Sequence, residues 1–587
     1  MGRAVGIDLG TTNSEVAIVE NGQARILPDE NGDPILPSCV GFDDQGKLLV
    51  GREALRQYAA APERTVRSIK RWMGTEHLTK LQVGGLESEE TKDFSPQAIS
   101  AIILRTLKER AEKALKEEVT QAVITVPAYF TQAQRQATQQ AGEMAGLEVL
   151  QIINEPTAAA LTYDIRSEET ERVLVYDLGG GTFDVSVVEI TGEVTEVLAS
   201  HGNNRLGGDD FDRRLQLHLE DCFRQLNDVE LPDDPLVQAR LLRAAEQVKI
   251  ELSTNAFTVV REPFLVNTGS KALHLETEVA RKDFEDLIRP LLKETLGAID
   301  RALQDAKLQP QELDRIILVG GSTRIPLIQE MIEDHLGQRP LDGVQPDLCV
   351  ALGAALQAGV LVGEAVESIL VDVIPHSLGI AAAVDTPFGL LPDYLSVIIP
   401  RNSVIPVSRS EVYGTLVDNQ KEVEIKVFQG ENEIASENVP LGEFQITNLP
   451  PRPAGTLQIE VHFDFDVNGI LTVTSTEKGA EQSTSLVINN AGVQKLTSQE
   501  LKQARQEIES LFGLEETSAV TAEVALDEEL EKAMAEAQAI LAGLTGAQAA
   551  ELQELITGLE QAMAAKDAAR LVELQQELTD FIYYLNP

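Results

Sequence analysis

Asp8 and Asp177 each lie at the end of an apolar strand, immediately before a glycine turn. The segments are Val5-Gly6-Ile7-Asp8-Leu9-Gly10-Thr11-Thr12-Asn13-Ser14 and Val175-Tyr176-Asp177-Leu178-Gly179-Gly180-Gly181-Thr182-Phe183-Asp184, each read as strand, glycine turn, strand. Glycines permit positive φ and close backbone approach, conditions under which successive N–H groups converge on one anion. A carboxylate beside such a cradle repels phosphate unless a divalent cation lies between them, so the pair suggests Mg2+ held largely through water. Either segment alone reads as a hairpin with a solvated turn aspartate; their recurrence about 170 residues apart favours a phosphate site. A third turn, Gly320-Gly321-Ser322-Thr323-Arg324-Ile325-Pro326, follows an apolar strand and opens a helix, a placement that suits a nucleotide. It lacks the dinucleotide fingerprint, and by itself it reads as a plain strand-to-helix turn.

The elements that must position these turns alternate. Strand patterns at 122–126 and 315–319 are interleaved with helical patterns at 95–115 and 131–145, an α/β organisation. At 587 residues the chain exceeds one core, and about 150 residues per domain gives roughly four units. Its 43% hydrophobic and 24% charged residues are those of an ordinary globular protein. With 94 acidic against 49 basic residues the net charge is −45, which repels a phosphate backbone, so no nucleic-acid partner is expected. Cys39, Cys222 and Cys349 form neither a disulfide framework nor a zinc pattern, consistent with a reducing compartment. The first residues lack a signal peptide's pattern, so export is not expected. The uncharged stretch 348–363 is shorter than the ~18 to 20 residues of a spanning helix and reads as a buried helix packing through small residues, so no membrane partner is expected. The histidines show no metalloprotease spacing, and there is no Walker-type lysine loop.

Ile7-Asp8-Leu9-Gly10-Thr11-Thr12-Asn13-Ser14, Val126-Pro127-Ala128-Tyr129-Phe130, Asn154-Glu155-Pro156-Thr157-Ala158-Ala159-Ala160, the Asp177–Asp184 segment and the Gly320–Pro326 turn together resemble the heat-shock protein 70 family, and within it the DnaK-type chaperones. The resemblance runs through nearly the whole chain in the family's order. It implies a multidomain fold: an actin-like α/β two-lobed ATPase domain over 1–366, a linker at 367–373, a β-sandwich that binds extended peptides over 374–492, and a helical lid over 493–587. It places Gly10, Thr11, Thr12 and Asn13 on one side of the β- and γ-phosphates and Gly179, Gly180, Gly181 and Thr182 on the other. Lys70 matches the family's catalytic lysine, Glu155 the glutamate near the attacking water, and Asp8 and Asp177 the aspartates around Mg2+; these four and Thr182 are the expected catalytic set. Glu246, Lys249 and Ser253, at helical spacings of three and four, match the adenosine contacts beside Gly320, Gly321, Ser322, Arg324 and Asp347, although a surface ion pair is the plainer reading. Ile250 stands where many relatives carry an arginine over the adenine. Pro127 and Arg135 match a relay from the ATP site to the peptide domain, ending at Asp372 in the linker Ser368-Ile369-Leu370-Val371-Asp372; that segment also reads as a simple first strand of the next domain. ATP and ADP, Mg2+ and K+ are the implied cofactors.

From about residue 372 to 490 short strand runs separated by turns read as a sandwich, among them 422–428, 457–465 and 470–476. The resemblance lines its cleft with Ile380, Ala383, Tyr413, Leu416, Val423 and Ile425, a lining that also reads as plain core. Burying one leucine there contributes roughly 1.5 to 3 kcal/mol. Asp464-Phe465-Asp466-Val467-Asn468-Gly469 begins like a calcium loop, but its twelfth position is Ser475, so Asn468-Gly469 reads as a hairpin turn. The chain between Ile380 and Pro406 is longer than in DnaK-type relatives, and the region after Met73 up to Ser95 is shorter. Thr497-Ser498-Gln499-Glu500 reads as a capping box opening the lid, with further helices expected at 527–544 and from 547 onward. The segment after residue 493 carries 18 acidic against six basic residues, read as solvated helix faces. The expected function is ATP-dependent binding and release of exposed hydrophobic peptide segments, with a J-domain co-chaperone and a nucleotide-exchange factor as partners, in a bacterial cytoplasm. Gln151 replaces an arginine common at the J-domain contact. The alternatives are a dedicated chaperone for one client such as an iron–sulfur scaffold protein and, from other classes, an actin-like filament ATPase or a sugar kinase. Neither of the last two has reason to carry a linker, sandwich and lid beyond Ser368, and the Lys70, Glu155 and Asp177 set argues against a non-hydrolysing exchange factor.

Overall fold

Each of the two glycine-turn hairpins forms the middle of a sheet. Strands β1 (Arg3–Leu9), β2 (Asn13–Glu20) and β3 (Gln23–Ile26) form an antiparallel meander, and β4 (Val119–Val126) and β5 (Glu148–Asn154) add in parallel beside β1, giving the order β5-β4-β1-β2-β3. The second sheet repeats the plan: β6 (Glu171–Leu178), β7 (Phe183–Thr191) and β8 (Val194–Asn203) form the meander, and β9 (Arg315–Val319) runs parallel beside β6. The register repeats too, with Asp8 opposite Glu15 and Asp177 opposite Asp184. Val5, Ile7 and Leu9 in one sheet and Val173, Val175 and Tyr176 in the other are buried, because helices cover both faces, and the strands therefore read as near-continuous apolar runs. This computed structural model describes residues 3–84, 90–162, 170–268, 271–341, 345–366, 369–387, 389–467, 469, 471–477, 483–488 and 497–513, with 552 and 557.

The helices that matter to the site are α1 (Pro96–Leu115), α2 (Gln132–Met144), α3 (Glu155–Leu161), α4 (Gly208–Asn227), α5 (Pro235–Leu252), α6 (Arg281–Ala306) and α7 (Cys349–Val362). Ser95 caps α1 and Thr131 forms a capping box with Gln134 on α2, satisfying backbone N–H groups that a helix start leaves unpaired. The small-residue helix expected at 348–363 is α7. Its backbone packs directly on α3: a β-carbon on Gly353 would lie 1.7 Å from the Ala158 carbonyl oxygen, and one on Gly6 of β1 would lie 2.0 Å from the Ala355 nitrogen. These two helices join the sheets, and Val123, Ile153, Ala158, Val175, Ile317, Val350 and Ala354 share one core.

Beyond α7, β10 (Ile369–Val371) pairs in parallel with β8, Val194 opposite Ile369. The linker segment is thus an edge strand of the second sheet, not the first strand of the sandwich. The sandwich comes next: β11 (Leu378–Thr386), β12 (Gly389–Ile399), β14 (Glu422–Gln429) and β15 (Val439–Thr447) in the order β12-β11-β14-β15, and β13 (Val407–Gly414), β16 (Gln458–Phe465), β17 (Leu471–Glu477) and β18 (Ser483–Ile488) in the order β13-β16-β17-β18. Leu378, Ile425, Val427, Val461 and Phe463 fill the space between. After Ile380 the chain forms a paired ribbon, in which β11 and β12 pair out to Thr386 opposite Gly389 with an irregularity between Ala382 and Val384, and Asp393 accepts from the Ser436 hydroxyl. Gly469, at φ 80°, lies between the antiparallel strands β16 and β17 as the hairpin reading expects; Asn468 and Ile470 lie outside the described residues.

Thr497 and Glu500 make the expected reciprocal box, with Glu500 N–H donating to Thr497 Oγ1 at 3.2 Å and Thr497 N–H to Glu500 Oε2 at 2.8 Å, at the start of α8 (Ser498–Leu511). The chain divides into the units Met1–Ile508 and Glu509–Pro587. The helices expected at 527–544 and from 547 onward lie outside the described residues, apart from 552 and 557. Among the described residues no helix is long and apolar enough to cross a membrane.

Candidate active site

β1 and β6 bring Asp8 and Asp177 to the carboxyl ends of the two sheets, and β5 ends at Asn154, so Glu155 is the first residue of α3. Lys70 lies on a 3-10 turn, Ile69–Trp72, entered through Ser68 in the left-handed region at φ 55°. Its buried ammonium is 2.5 Å from Glu155 Oε1 and lies 5.6 Å from the centre of the Phe130 ring. Asp8 Oδ1 accepts from the Thr125 hydroxyl at 2.7 Å, and Asp184 Oδ1 accepts from the Tyr129 N–H at 3.0 Å. Burial, then the charge of Glu155, pushes Asp8 and Asp184 up to about 7, with Lys70 working against both. Burial, then Glu155, Asp184 and Asp8, raises Asp177 well above the ordinary carboxylate range. A buried cluster so short of positive charge fits a divalent cation. Among the described residues no three ligating side chains converge, so Asp8 and Asp177 would hold such an ion mainly through water.

The glycine turns close around this centre. A β-carbon on Gly180 would lie 1.9 Å from Thr12 Oγ1 and one on Gly181 2.7 Å from Thr11 Cγ2, so the two hairpin tips face one another where only glycine fits. Gly10 is held by Ser14 and Ser38, its N–H donating to Ser14 Oγ at 3.2 Å and its carbonyl accepting from Ser38 Oγ at 2.8 Å; Asn13 opens β2 beside it. The buried Thr182 accepts the Gly179 N–H on its carbonyl at 3.1 Å. Ser322 Oγ donates to the Gly179 carbonyl at 2.9 Å, and Arg324 pairs with Asp347 at 2.5 Å, with Gly320 and Gly321 alongside. All three glycine turns thus meet at one place. Glu246, Lys249 and Ser253 follow one another along the end of α5, where Ser253 Oγ donates back to the Lys249 carbonyl at 2.9 Å. Their ion pairs are largely buried, unlike the surface pair the plainer reading expects: Lys249 meets Asp212 at 2.8 Å and Glu246 meets Arg67 at 2.7 Å.

Several residues at the centre escaped sequence reading. Thr125 and Arg67 carry no motif of their own, and Asp184 was legible only as the end of the second glycine-turn segment. Gly207-Gly208 carried a usable signal, a glycine pair between β8 and α4 like that at Gly320-Gly321; a β-carbon on Gly207 would lie 2.5 Å from the Gly180 carbonyl carbon. Asn154 was legible only as part of a motif, yet it joins two relay residues. Its Oδ1 accepts from Arg135 at 2.5 Å and its Nδ2 donates to both oxygens of Asp372, at 3.0 and 2.9 Å. Pro127 lies on the same turn, its carbonyl accepting from Phe130 N–H at 3.1 Å.

Where the linker enters the sandwich, the His376 ring lies 4.0 Å from that of Tyr129 and donates to the Tyr129 carbonyl at 3.3 Å. Nearby, Asp305 of α6 receives Arg401 at 2.8 Å and His201 at 2.8 Å; burial opposes its charge, but these hydrogen bonds prevail and hold it at about 2. Burial holds His376 at about 4, against the pull of the Tyr129 carbonyl and Glu431. A histidine lowered in the folded state takes up its proton earlier when unfolded, so stability is lost as pH falls from about 6.5 towards 4, by at most about 1.4 kcal/mol per pH unit. His376→Phe is therefore expected to shallow the acid limb of a melting-temperature profile between these values. Superimposable profiles would refute the assignment.

The six expected cleft residues differ in burial. Ile380 and Ile425 are 4% and 2% exposed in the sandwich core, and Tyr413 and Val423 pack half-buried against it. Ala383 is half-buried, while Leu416 is 59% exposed. Tyr413 also shares a 2.9 Å hydrogen bond between its hydroxyl and Ser396 Oγ.

Duplicated sheets closing glycine turns over a buried lysine and carboxylates, followed by a docked strand and a sandwich, define a two-lobed ATPase joined to a sheet-rich substrate-binding domain. The family model described as Hsp70 protein matches residues 4–586. The chain belongs to the Hsp70 family and is an ATP-dependent chaperone.

Proposed function

We propose that this chain is a DnaK-type chaperone that binds extended hydrophobic segments of unfolded proteins and releases them in a cycle of ATP hydrolysis in a bacterial cytoplasm. The observation that carries the reading is that Glu155, paired with Lys70, directly follows Asn154 in the chain, and the Asn154 side chain holds Asp372 beside the docked strand β10. It supplies a route by which a change at the phosphate end reaches the peptide domain. In this reading the lobes have the actin-like arrangement, and Asp8 and Asp177 hold Mg2+ through water, with K+ as a second cation. When bound, such a metal would neutralise phosphate charge. The Gly10–Asn13 and Gly179–Thr182 turns hold the phosphates, Lys70 stabilises negative charge that builds in the transition state, and Glu155 orients the attacking water. A J-domain protein and an exchange factor drive the cycle.

Single-turnover ATP hydrolysis with and without an extended leucine-rich peptide tests this. Faster hydrolysis with peptide, and release of labelled peptide on adding ATP, are expected. Hydrolysis indifferent to a panel of random hydrophobic peptides would overturn the general role and leave a narrow client.

A further inference from the structure

Arg67 lies in the short strand Thr65–Arg67, opposite Cys39 and three residues before Lys70. Its partner Glu246 is 179 residues away on α5, in the other lobe. The pair is 2.7 Å long with side chains only 12% and 20% exposed, and the guanidinium lies 5.5 Å from the centre of the Tyr58 ring. On α5 the neighbouring cation, Lys249, is already engaged by Asp212, and Ile250, one turn from Glu246, is exposed and chargeless. The charge that meets Glu246 therefore comes from across the cleft. Arg71 also crosses, reaching Asp210 at 3.0 Å, but it lies beside Gly181 at the phosphate turn. Glu246 uses Oε2 for the pair, so Oε1 is the oxygen left for a ribose hydroxyl. Although burial pushes the Glu246 carboxyl up, Arg67 and then Lys249 hold it below its ordinary range, so it stays an anion and an acceptor.

We propose that Arg67 is a positioning residue for the nucleotide: by pairing with Glu246 across the cleft it holds the lobes closed over the nucleoside end and sets how fast nucleotide leaves. The inference rests on the ATPase reading and on the expected adenosine role of Glu246. Breaking a desolvated pair acts mainly on dissociation.

Release of a fluorescent ADP analogue, chased with excess ATP, tests it in the full chain. Arg67→Met and Glu246→Gln are each expected to speed release by about tenfold. The double variant should be no faster than the faster single one, since both remove one interaction. Arg67→Lys, which keeps the charge but not the planar fork, should fall between Arg67→Met and wild type, an ordering that a packing role would not produce. Release unchanged in Arg67→Met, or effects that multiply in the double variant, would overturn the latch. Wild type that retains no nucleotide would overturn the ATPase reading itself.

Discussion

Lys70→Ala is expected to slow single-turnover ATP hydrolysis by about 10² to 10³-fold, the usual loss when a preorganised group facing developing charge is removed. Among the described residues Lys70 is the one ammonium paired with Glu155 in the centre that also holds Asp8, Asp177 and Asp184. Without it the phosphate's growing negative charge loses the positive group paired with Glu155. The substitution also leaves Glu155 buried without its partner, which costs about 3–5 kcal/mol if the carboxylate stays charged. A urea titration of Lys70→Ala that shows the chain folded under the assay conditions, while hydrolysis is lost, separates chemistry from stability. Lys70→Ala that turns over at the wild-type rate would remove this residue from the mechanism.

Asp372→Ala is expected to uncouple the two halves, reducing peptide stimulation of hydrolysis from its wild-type ratio towards one. The Asp372 carboxylate is buried, accepts twice from Asn154 Nδ2 and takes the Val373 N–H at 2.8 Å. Removing it leaves the Asn154 amide without an acceptor in the docked arrangement, a penalty of about 1–3 kcal/mol. Because β10 must leave β8 for the arrangement to change, that penalty weighs on the docked state and shifts the docking equilibrium by about 5- to 150-fold. Asp372→Asn keeps one acceptor oxygen and should lose less. The measurement is the ratio of hydrolysis rates with and without saturating peptide; an unchanged ratio in Asp372→Ala would exclude this contact as the coupling point.

Local features of the site were legible because they repeat over a few residues. The two hairpins follow from apolar runs broken by glycines, α2 from its helical pattern at 131–145, α8 from its capping box, and α7 from a run of small residues, each a short-range pattern that the backbone obeys wherever it lies. The grouping of Lys70, Glu155, Asp8 and Asp177 was also within reach, but only through resemblance, since nothing in the spacing of four separate residues says that they meet. Asp184 shows the limit. In sequence it is the end of a hairpin, yet in the structure it is buried beside Asp177 and takes the Tyr129 N–H.

The alternation along β11 and β14 is equally blind, because a residue facing the sandwich core and one facing a cleft both recur every second position. Ile380 and Ile425 are buried in the core between the two sheets, and Leu416, past the end of β13, is exposed. By itself the sequence determined which segments become strands, turns and capped helices, the strong acidic balance, and the duplicated glycine turns. Only the tertiary structure decided that Lys70 meets Glu155, that Arg67 meets Glu246 across the cleft, that Asn154 meets Asp372, and that residues 369–371 join the second sheet instead of the sandwich. Those partners stand 85, 179 and 218 residues apart. Contacts over such separations depend on how two sheets and the crossing helices α3 and α7 pack, and no local propensity carries that information.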